Sequence, residues 1–308
     1  MRYDFVWAVP AILFAVLTFS SILTAKNVQP RETAQPCAME RNPYPEDDLS
    51  DFEFFAIRTP KGTTRGYLLG SIHNRWGTFQ QLPPAMKKAF DHATEIVFEI
   101  LPDEPYPPKN GSRTTFEIRQ LPGPSGPFSD LLEACKKKTG IMSWSVLPVE
   151  LAVDLALYCR SRVDSENAHP VDLDDSCTIE HALEQQGGQD HKWVSGIETM
   201  TDRGRMIEHE LGPRLPYFLD RFAEFLAFDG ELTSSPEALR ARFPLVSEFL
   251  LDRRNALWLP RLIKKMSGQR PLFVFGAAHL PGEKGLISLL EAEGFRIEPI
   301  ETGASPSG

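Results

Sequence analysis

Short apolar runs and longer amphipathic stretches alternate over most of this chain. Two of the apolar runs share one pattern, in which glycine is followed by two residues and then histidine: Tyr67–His73 and Leu272–His279. Each is followed by a Leu-Pro pair, a stretch of helical periodicity and another apolar run. Apolar runs of this length are typical of buried strands. The pattern therefore predicts two strand–loop–helix–strand units, each ending its first strand at a histidine.

The remaining periodicity places further elements around the two units. A hairpin is predicted from two short strands, 52–58 and 65–69. The first unit then has a helix and a strand, and the second unit has a strand, a helix and a strand: 85–93, 95–100, 271–275, 282–293 and 295–300. Alternating strands and helices favour an α/β fold with a mostly parallel central sheet.

Between the units the periodicity is mainly helical. Ser129 is placed to cap a helix over 130–139, and Thr199 to cap the helix that follows a short strand at 193–199. Further helices are predicted at 148–163, 178–186, 203–228 and 236–266. Pro260 is expected to kink or break the last of these. The sequence thus predicts a helical insertion between the two units.

The N-terminal residues differ from the rest of the chain. The segment 5–25 has no charge and is long enough to span a bilayer. A transmembrane anchor is favoured over a cleaved signal peptide, and both remain open. The predicted organisation is an anchor or signal peptide at 1–26, a linker at 27–51, a domain at 52–300 and a tail at 301–308. The domain is expected on the extracytoplasmic side, in the periplasm or at the cell surface.

Charge and cysteine content narrow the kinds of partner, metal site and disulfide that the chain could have. The net charge is −9 and no basic stripe is present, which argues against a nucleic-acid partner. The chain has 4 cysteines and no C-x-x-C pair, so a zinc knuckle is not expected. An oxidising compartment would permit one or two disulfides, with the pairing open, or Cys135 and Cys159 could be buried as free thiols. The other two cysteines are Cys37 and Cys177.

Four polar side chains are predicted at the carboxyl ends of strands, where ligands bind in parallel sheets: His73, Glu99, Glu198 and His279. Imidazoles with a carboxylate can bind a transition metal, whose water attacks an amide or ester carbonyl. A nearby carboxylate without a metal bond could move the proton. The alternative is that both histidines are structural. The commonest zincin, serine-hydrolase, NTPase and dinucleotide motifs are absent from the sequence.

Several segments in order resemble the TraB/GumN family, which includes the Tiki and pheromone-shutdown proteins: YLLGSIH, EIVFEI, VDLDDSCTIEHAL with VSGIET, LLDRRNALWLPRL and FVFGAAHLPGEKGLISLLEAEGFRI. The resemblance covers about 52–300. It implies a membrane-tethered, metal-dependent protease that uses a divalent ion such as manganese, cobalt or zinc. Matched by position, it implies His73, Glu99 and His279 as metal ligands.

The same resemblance implies catalytic roles for Glu198, Arg254 and Asn255. Arg254 could stabilise an oxyanion, or form an ion pair with Glu99 or Glu198. Asn255 could orient a ligand or cap local backbone. Asp172 could match a family aspartate, although Asp174 and Asp175 leave that alignment open. Glu298 stands near the place in the second unit that Glu99 holds in the first, as a relic of duplication or by chance.

The expected function is therefore an extracytoplasmic metal-dependent hydrolase, with a peptidase favoured. Its substrate would be a peptide or a small ester or amide, and its N-terminal segment would contact the membrane. A non-catalytic protein of the same fold that sequesters a peptide or another ligand is the alternative. An esterase or a haem-handling protein is the third possibility.

Overall fold

The structure is a computed structural model, and it describes the following residues: 53–71, 79–100, 115–117, 126–139, 146–148, 156, 159, 163, 178–227 and 236–302. All of them belong to one compact unit, Gln35–Gly308. The predicted segments 1–26 and 27–51 lie outside the described residues, as do most of the predicted helix at 148–163 and Asp172. Within the described residues, no helix combines the length and apolarity that crossing a membrane requires.

The first unit begins with the predicted hairpin. Strands β1 (Glu53–Arg58) and β2 (Thr64–Ser71) are antiparallel. Their turn contains Gly62 at φ 84°, a left-handed conformation that glycine adopts without a steric penalty. Helix α1 (Pro84–His92) starts with proline in its first turn, and β3 (Glu95–Phe98) follows it. Glu99 is therefore the first residue after a fully buried strand.

The second unit follows the insertion. Strand β7 (Pro271–Gly276) is buried along its whole length and continues into a 3-10 turn, Ala277–His279. The next helix, Leu286–Ala292, begins later than predicted, and Gly294 at φ 87° follows it. The unit ends with β8 (Arg296–Pro299). The predicted strand–loop–helix–strand order is confirmed in this unit.

The main sheet has 6 strands in the order β6–β3–β7–β2–β1–β8, where β6 is Trp193–Gly196. The neighbours from β6 to β2 are parallel, whereas β1 is antiparallel to β2 and to β8. The predicted mostly parallel α/β fold is confirmed. The two units interleave, because β7 lies between β2 and β3. Ser71 pairs with Gly276, so the two strands that precede the Gly-x-x-His turns end side by side.

The segments between the units are mainly helical. The helices from α2 to α8 are Pro127–Thr139, Ile179–Gln189, Met200–Met206, Leu215–Ala227, Pro236–Arg242, Pro244–Ser247 and Arg253–Met266. A small antiparallel pair, β4 (Thr115–Glu117) and β5 (Val146–Pro148), also lies here. The helix at 286–292 is α9. The helical part has its own apolar core, which includes Phe128, Phe218 and Phe249.

A disulfide joins Cys135 in α2 to Cys159, with 5.1 Å between the Cα atoms. Of the two states left open for these cysteines, the structure therefore has the oxidised one. The predictions for Cys37 and Cys177 lie outside the described residues. A disulfide is consistent with an extracytoplasmic location, because exported proteins fold in oxidising compartments.

Several predicted helix boundaries are wrong. The helix predicted over 203–228 is interrupted by a π segment, Ile207–Leu211, and by a 3-10 turn, Gly212–Arg214, in which Gly212 has φ 40°. The helix predicted over 236–266 is broken at Phe243, whose neighbour is Pro244. A second π segment, Glu248–Asp252, then precedes α8.

Proline and serine signals were also misinterpreted. Helix α8 continues through Pro260, which does not break it. Pro260 and Ala256 are exposed, so water can bond the carbonyl oxygen that loses its partner. Helix α2 begins at Pro127, which places Ser129 inside the helix instead of at its cap. The cap predicted at Thr199 is confirmed, because its hydroxyl accepts from the backbone N–H of Asp202 and the Asp202 carboxylate accepts from Thr199 N–H.

Candidate functional site

The site lies at the carboxyl edge of the parallel strands. Glu99 follows β3, Glu198 follows β6, and His279 ends the turn after β7. Arg254 and Asn255 come from the first turn of α8, which packs against this edge. The structure brings these five predicted residues into one cluster. The sixth, His73, lies outside the described residues, and its role as a ligand stays a prediction.

Arg254 is the centre of the cluster. Its Nε and Nη2 atoms donate to Glu198 Oε1 at 3.0 and 2.6 Å, and Nη2 also donates to Glu99 Oε2 at 2.7 Å. Its Nη1 lies 3.3 Å from both the Leu250 carbonyl oxygen and His279 Nε2. A guanidinium has five N–H groups, so each one has an acceptor here. Of the two roles considered for Arg254, oxyanion stabilisation and an ion pair with Glu99 or Glu198, this arrangement is the ion pair.

Glu198 is held on both carboxylate oxygens. Oε1 accepts from Arg254, and Oε2 accepts from the indole Nε1–H of Trp258 at 2.8 Å. The side chain of Glu198 is 0% exposed. A buried carboxylate with both oxygens bonded is suited to fixing its partners in place.

Glu99 connects the two sequence units. Its Oε2 accepts from Arg254, and its Oε1 accepts from the backbone N–H of Gly276 at 2.8 Å. The same Oε1 lies 3.7 Å from His279 Nε2. The carboxylate that ends the second strand of one unit is thus bound to the turn that ends the first strand of the other.

The contacts of Asn255 define the tautomer of His279. Asn255 Nδ2 donates to the carbonyl oxygens of His279 and Lys284 at 3.0 and 2.9 Å, which fixes the orientation of the amide. Its Oδ1 then accepts from His279 Nδ1 at 2.7 Å, so Nδ1 carries the proton. The other nitrogen, Nε2, then carries a lone pair that accepts from Arg254 Nη1, and it lies 3.7 Å from Glu99 Oε1. Histidine ligands of metals are commonly oriented in this way by an acceptor on the opposite nitrogen.

The cluster is buried, and it contains more acidic than basic side chains. Side-chain exposure is 10% for Arg254, 4% for His279 and 15% for Glu99, which is therefore the most accessible of the three. Burial alone would lower the pKa of Arg254, but attraction by Glu99 and Glu198 outweighs it and raises that pKa, so the guanidinium is charged. One guanidinium faces two carboxylates, and a bound cation would offset the excess negative charge.

The described donors fit part of a metal site. Metal bonds of about 2.0–2.2 Å put two ligand atoms of one ion roughly 3–3.5 Å apart. Glu99 Oε1 and His279 Nε2, at 3.7 Å, are close to that separation. No group of three histidine, cysteine, aspartate or glutamate side chains arranged for a metal occurs in the described part of the chain. The two donors would therefore need a third, which the sequence predicts as His73.

Two functional contacts were missed by the sequence analysis. Trp258 is fully buried, its ring centre is 4.5 Å from that of His279, and the guanidinium of Arg254 lies 4.5 Å from the same ring. Its position four residues after Arg254 on one helix could have indicated it, because residues i and i+4 share a face. The backbone N–H of Gly276 had no signal of its own beyond the Gly-x-x-His motif.

The fold and the cluster define an α/β protein with a buried arginine–carboxylate–histidine site at the carboxyl edge of its sheet. The model of the TraB/PrgY/gumN family matches residues 54–299 of this chain, which is well over half of its length. The chain therefore belongs to the TraB/PrgY/gumN family. No curated protein and no solved structure is significantly similar to it.

Proposed function

We propose that this protein is a metal-dependent hydrolase that cleaves peptide bonds on the extracytoplasmic side of a membrane. The observation that carries the proposal is the pair formed by Glu99 Oε1 and His279 Nε2, 3.7 Å apart, with the proton of the imidazole on the opposite nitrogen, Nδ1. Family membership and the disulfide support it.

In this proposal Glu99, His279 and His73 bind a divalent ion such as manganese, cobalt or zinc. When bound, the ion supplies a water molecule of lowered pKa for attack on a carbonyl group. Asn255 holds His279 in the tautomer whose Nε2 carries no proton. Gly276 N–H fixes the rotation of the Glu99 carboxylate.

The first role of Arg254 and Glu198 in this proposal is to position other residues of the site. Arg254 holds Glu99 at its Oε2 atom, and Glu198 with Trp258 holds Arg254. An ion on His279 Nε2 would replace the contact with Arg254 Nη1 and leave one N–H for a developing negative charge. Arg254 could therefore stabilise an oxyanion only when a metal ion is bound at His279 Nε2. Both oxygens of Glu198 already accept hydrogen bonds, which favours a role in holding Arg254 over a role in proton transfer.

The test is metal binding by the full-length protein in detergent micelles, with and without substitutions. His279→Ala is expected to lower the affinity for manganese or cobalt at least about 100-fold, which is the upper range for loss of an outer-shell partner. His209→Ala is the matched control, because His209 is exposed on the π segment and is not one of the residues of the cluster. Cleavage of an unfolded protein such as casein is measured in parallel.

Three outcomes are informative. Full metal binding by His279→Ala would contradict the ligand assignment. Metal binding and cleavage that are both lost in His279→Ala and kept in His209→Ala support the hydrolase. Binding of casein without cleavage, with metal present, would instead assign the alternative function, a protein that sequesters peptides.

A further inference from the structure

An open cavity of about 690 Å³ lies beside β6 and reaches the candidate site. β6 is the last strand of the sheet, and among the described residues no strand pairs with its outer edge. The cavity extends from Trp193 along the strand to Thr199, and Glu198 is part of its wall. The C-terminal half of α8 forms the opposite wall. The cavity therefore connects a sheet edge to a residue that is bound to Arg254.

The backbone of β6 presents hydrogen-bonding groups at this edge. The strand is parallel to β3, and the next residue, Ile197, donates its N–H to the carbonyl of Phe98 at 2.8 Å. Successive residues of a strand direct these groups to opposite sides. The N–H and C=O groups of Val194 and Gly196 therefore point away from β3. An extended peptide can add to an edge of this kind as a further strand.

The side chains around the cavity differ in their exposure and in whether they already form ion pairs. Trp193 is 75% exposed, which is unusual for so large an apolar residue. Arg261 is bound to Asp202, and Lys265 to Glu95. Lys264 also lines the cavity and is exposed, and no ion pair within the described residues includes it. The cavity thus offers an aromatic surface and a cation that is not neutralised.

We propose that this groove, defined by β6, Trp193 and the 261–269 part of α8 and its following turn, binds an extended peptide by strand addition. An apolar or aromatic side chain of the peptide would pack on Trp193, and an acidic side chain would lie near Lys264. The inference rests on the proposed function, because Glu198, at one end of the groove, is bound to Arg254, which holds Glu99 of the proposed metal-binding pair. A folded substrate would have to unfold locally before it could enter.

The test separates binding from cleavage. Fluorescein-labelled casein, an unfolded acidic protein, is titrated with the full-length protein in detergent micelles and EDTA, and the dissociation constant is read from anisotropy. Trp193→Ala and Lys264→Glu are each expected to raise this constant about fivefold or more, since exposed anchors of an interface carry most of its binding energy. Both side chains are exposed, so folding is not affected.

Matched controls lie elsewhere on the surface. Tyr217→Ala removes a large hydrophobic residue that is 54% exposed, the second of two such residues in the described part of the chain. Lys61→Glu reverses an exposed charge at the β1–β2 turn. Both are expected to bind casein as the unchanged protein does. Hydrogen exchange adds a backbone measurement, in which casein should slow exchange of the amides of Val194 and Gly196.

The proposal is overturned if casein does not bind, if the groove variants bind like the controls, or if neither amide is protected. None of these results depends on metal, because EDTA is present throughout. The proposed hydrolase is judged separately by metal affinity of the His279→Ala variant. The two proposals can therefore fail independently.

Discussion

Glu99 and Glu298 occupy similar places in the two sequence units, and the fold gives them different surroundings. Glu99 follows β3, which lies between β6 and β7, and its side chain is 15% exposed among Arg254, Gly276 N–H and His279. Glu298 lies in β8 at the edge of the sheet, with a side-chain exposure of 35%. It pairs there with Arg58 and Arg296.

The comparison shows that position in the sheet decides what such a carboxylate can do. Ion pairs at an exposed edge are screened by water and contribute little. A carboxylate among buried partners is held in one orientation and is costly to disturb. The structure therefore favours the interpretation of Glu298 as a surface residue without a catalytic role. Glu298→Gln is therefore a suitable control for substitutions of the buried carboxylates.

The largest effect is expected for Glu198→Gln, the most deeply buried carboxylate. The substitution leaves Arg254 with one charged partner and places an amide N–H against the indole N–H of Trp258. The free energy of unfolding should fall by about 3–5 kcal/mol, as for other broken buried pairs. Chemical denaturation measures it. A loss no greater than that of Glu298→Gln would show that burial does not separate the two carboxylates.

Glu99→Gln should follow, with its main effect on metal affinity. Removing the negative charge beside His279 Nε2 is expected to weaken manganese or cobalt binding by about 100-fold or more, beyond the loss of an outer-shell partner. Isothermal titration calorimetry measures this change. Glu298→Gln should bind the metal normally. Equal affinities for the two variants would remove Glu99 from the proposed ligand set.

Trp258→Phe tests the hydrogen bond that supports Glu198. Phenylalanine keeps an aromatic ring near His279 but leaves Glu198 Oε2 without its donor. An unsatisfied buried acceptor costs about 1–3 kcal/mol, which thermal unfolding can detect. If stability does not change, the indole N–H does not hold Glu198, and the contact is incidental.

The smallest effect is expected at Asp202, a carboxylate of intermediate exposure. Burial by itself would raise its pKa, but hydrogen bonds from Arg261 and Thr199 lower that pKa below its usual range. A lowered native pKa stabilises the fold above the unfolded value of about 3.9, and the contribution is lost as pH falls through the native value. Asp202→Asn should therefore cost up to about 1 kcal/mol at pH 7.

The cost of Asp202→Asn should shrink as the pH falls below about 4, because the unfolded chain then takes up a proton at Asp202, and it should vanish once the native side chain is protonated too. Denaturation at pH 7 and pH 3 compares the two conditions. A cost that is the same at both pH values would mean that the charge of Asp202 is not what stabilises the cap of α4.

The sequence was sufficient to place the site residues along the chain but insufficient to place the strands side by side. Glu99, Glu198 and His279 were expected at strand ends because apolar runs reveal where strands stop. The insertion of β7 between β2 and β3 has no local signal, since pairing depends on contacts between distant residues. For the same reason the sequence could not predict that every N–H of Arg254 has an acceptor, whereas the contact of Trp258 with Arg254 had a local signal in their i, i+4 spacing.

Helix continuity was the weaker part of the prediction. Periodicity alone joined stretches that Gly212 and Pro244 separate, because an amphipathic pattern can continue across a break in the backbone. At Pro260 a break was expected and the helix continues. The position is exposed, so the helix tolerates the loss of one backbone hydrogen bond there. Local signals therefore need to be weighed by which face of the helix they occupy.

The central place of β7 has a consequence for synthesis. The ribosome must add Pro271–Gly276 before β2 and β3 acquire the neighbour they share, and His279 comes later still. A nascent or truncated chain that stops before residue 271 lacks the middle of its sheet and also lacks His279, one of the proposed metal ligands. Such a chain cannot assemble the cluster, so any activity of the site is withheld until the ribosome has added His279.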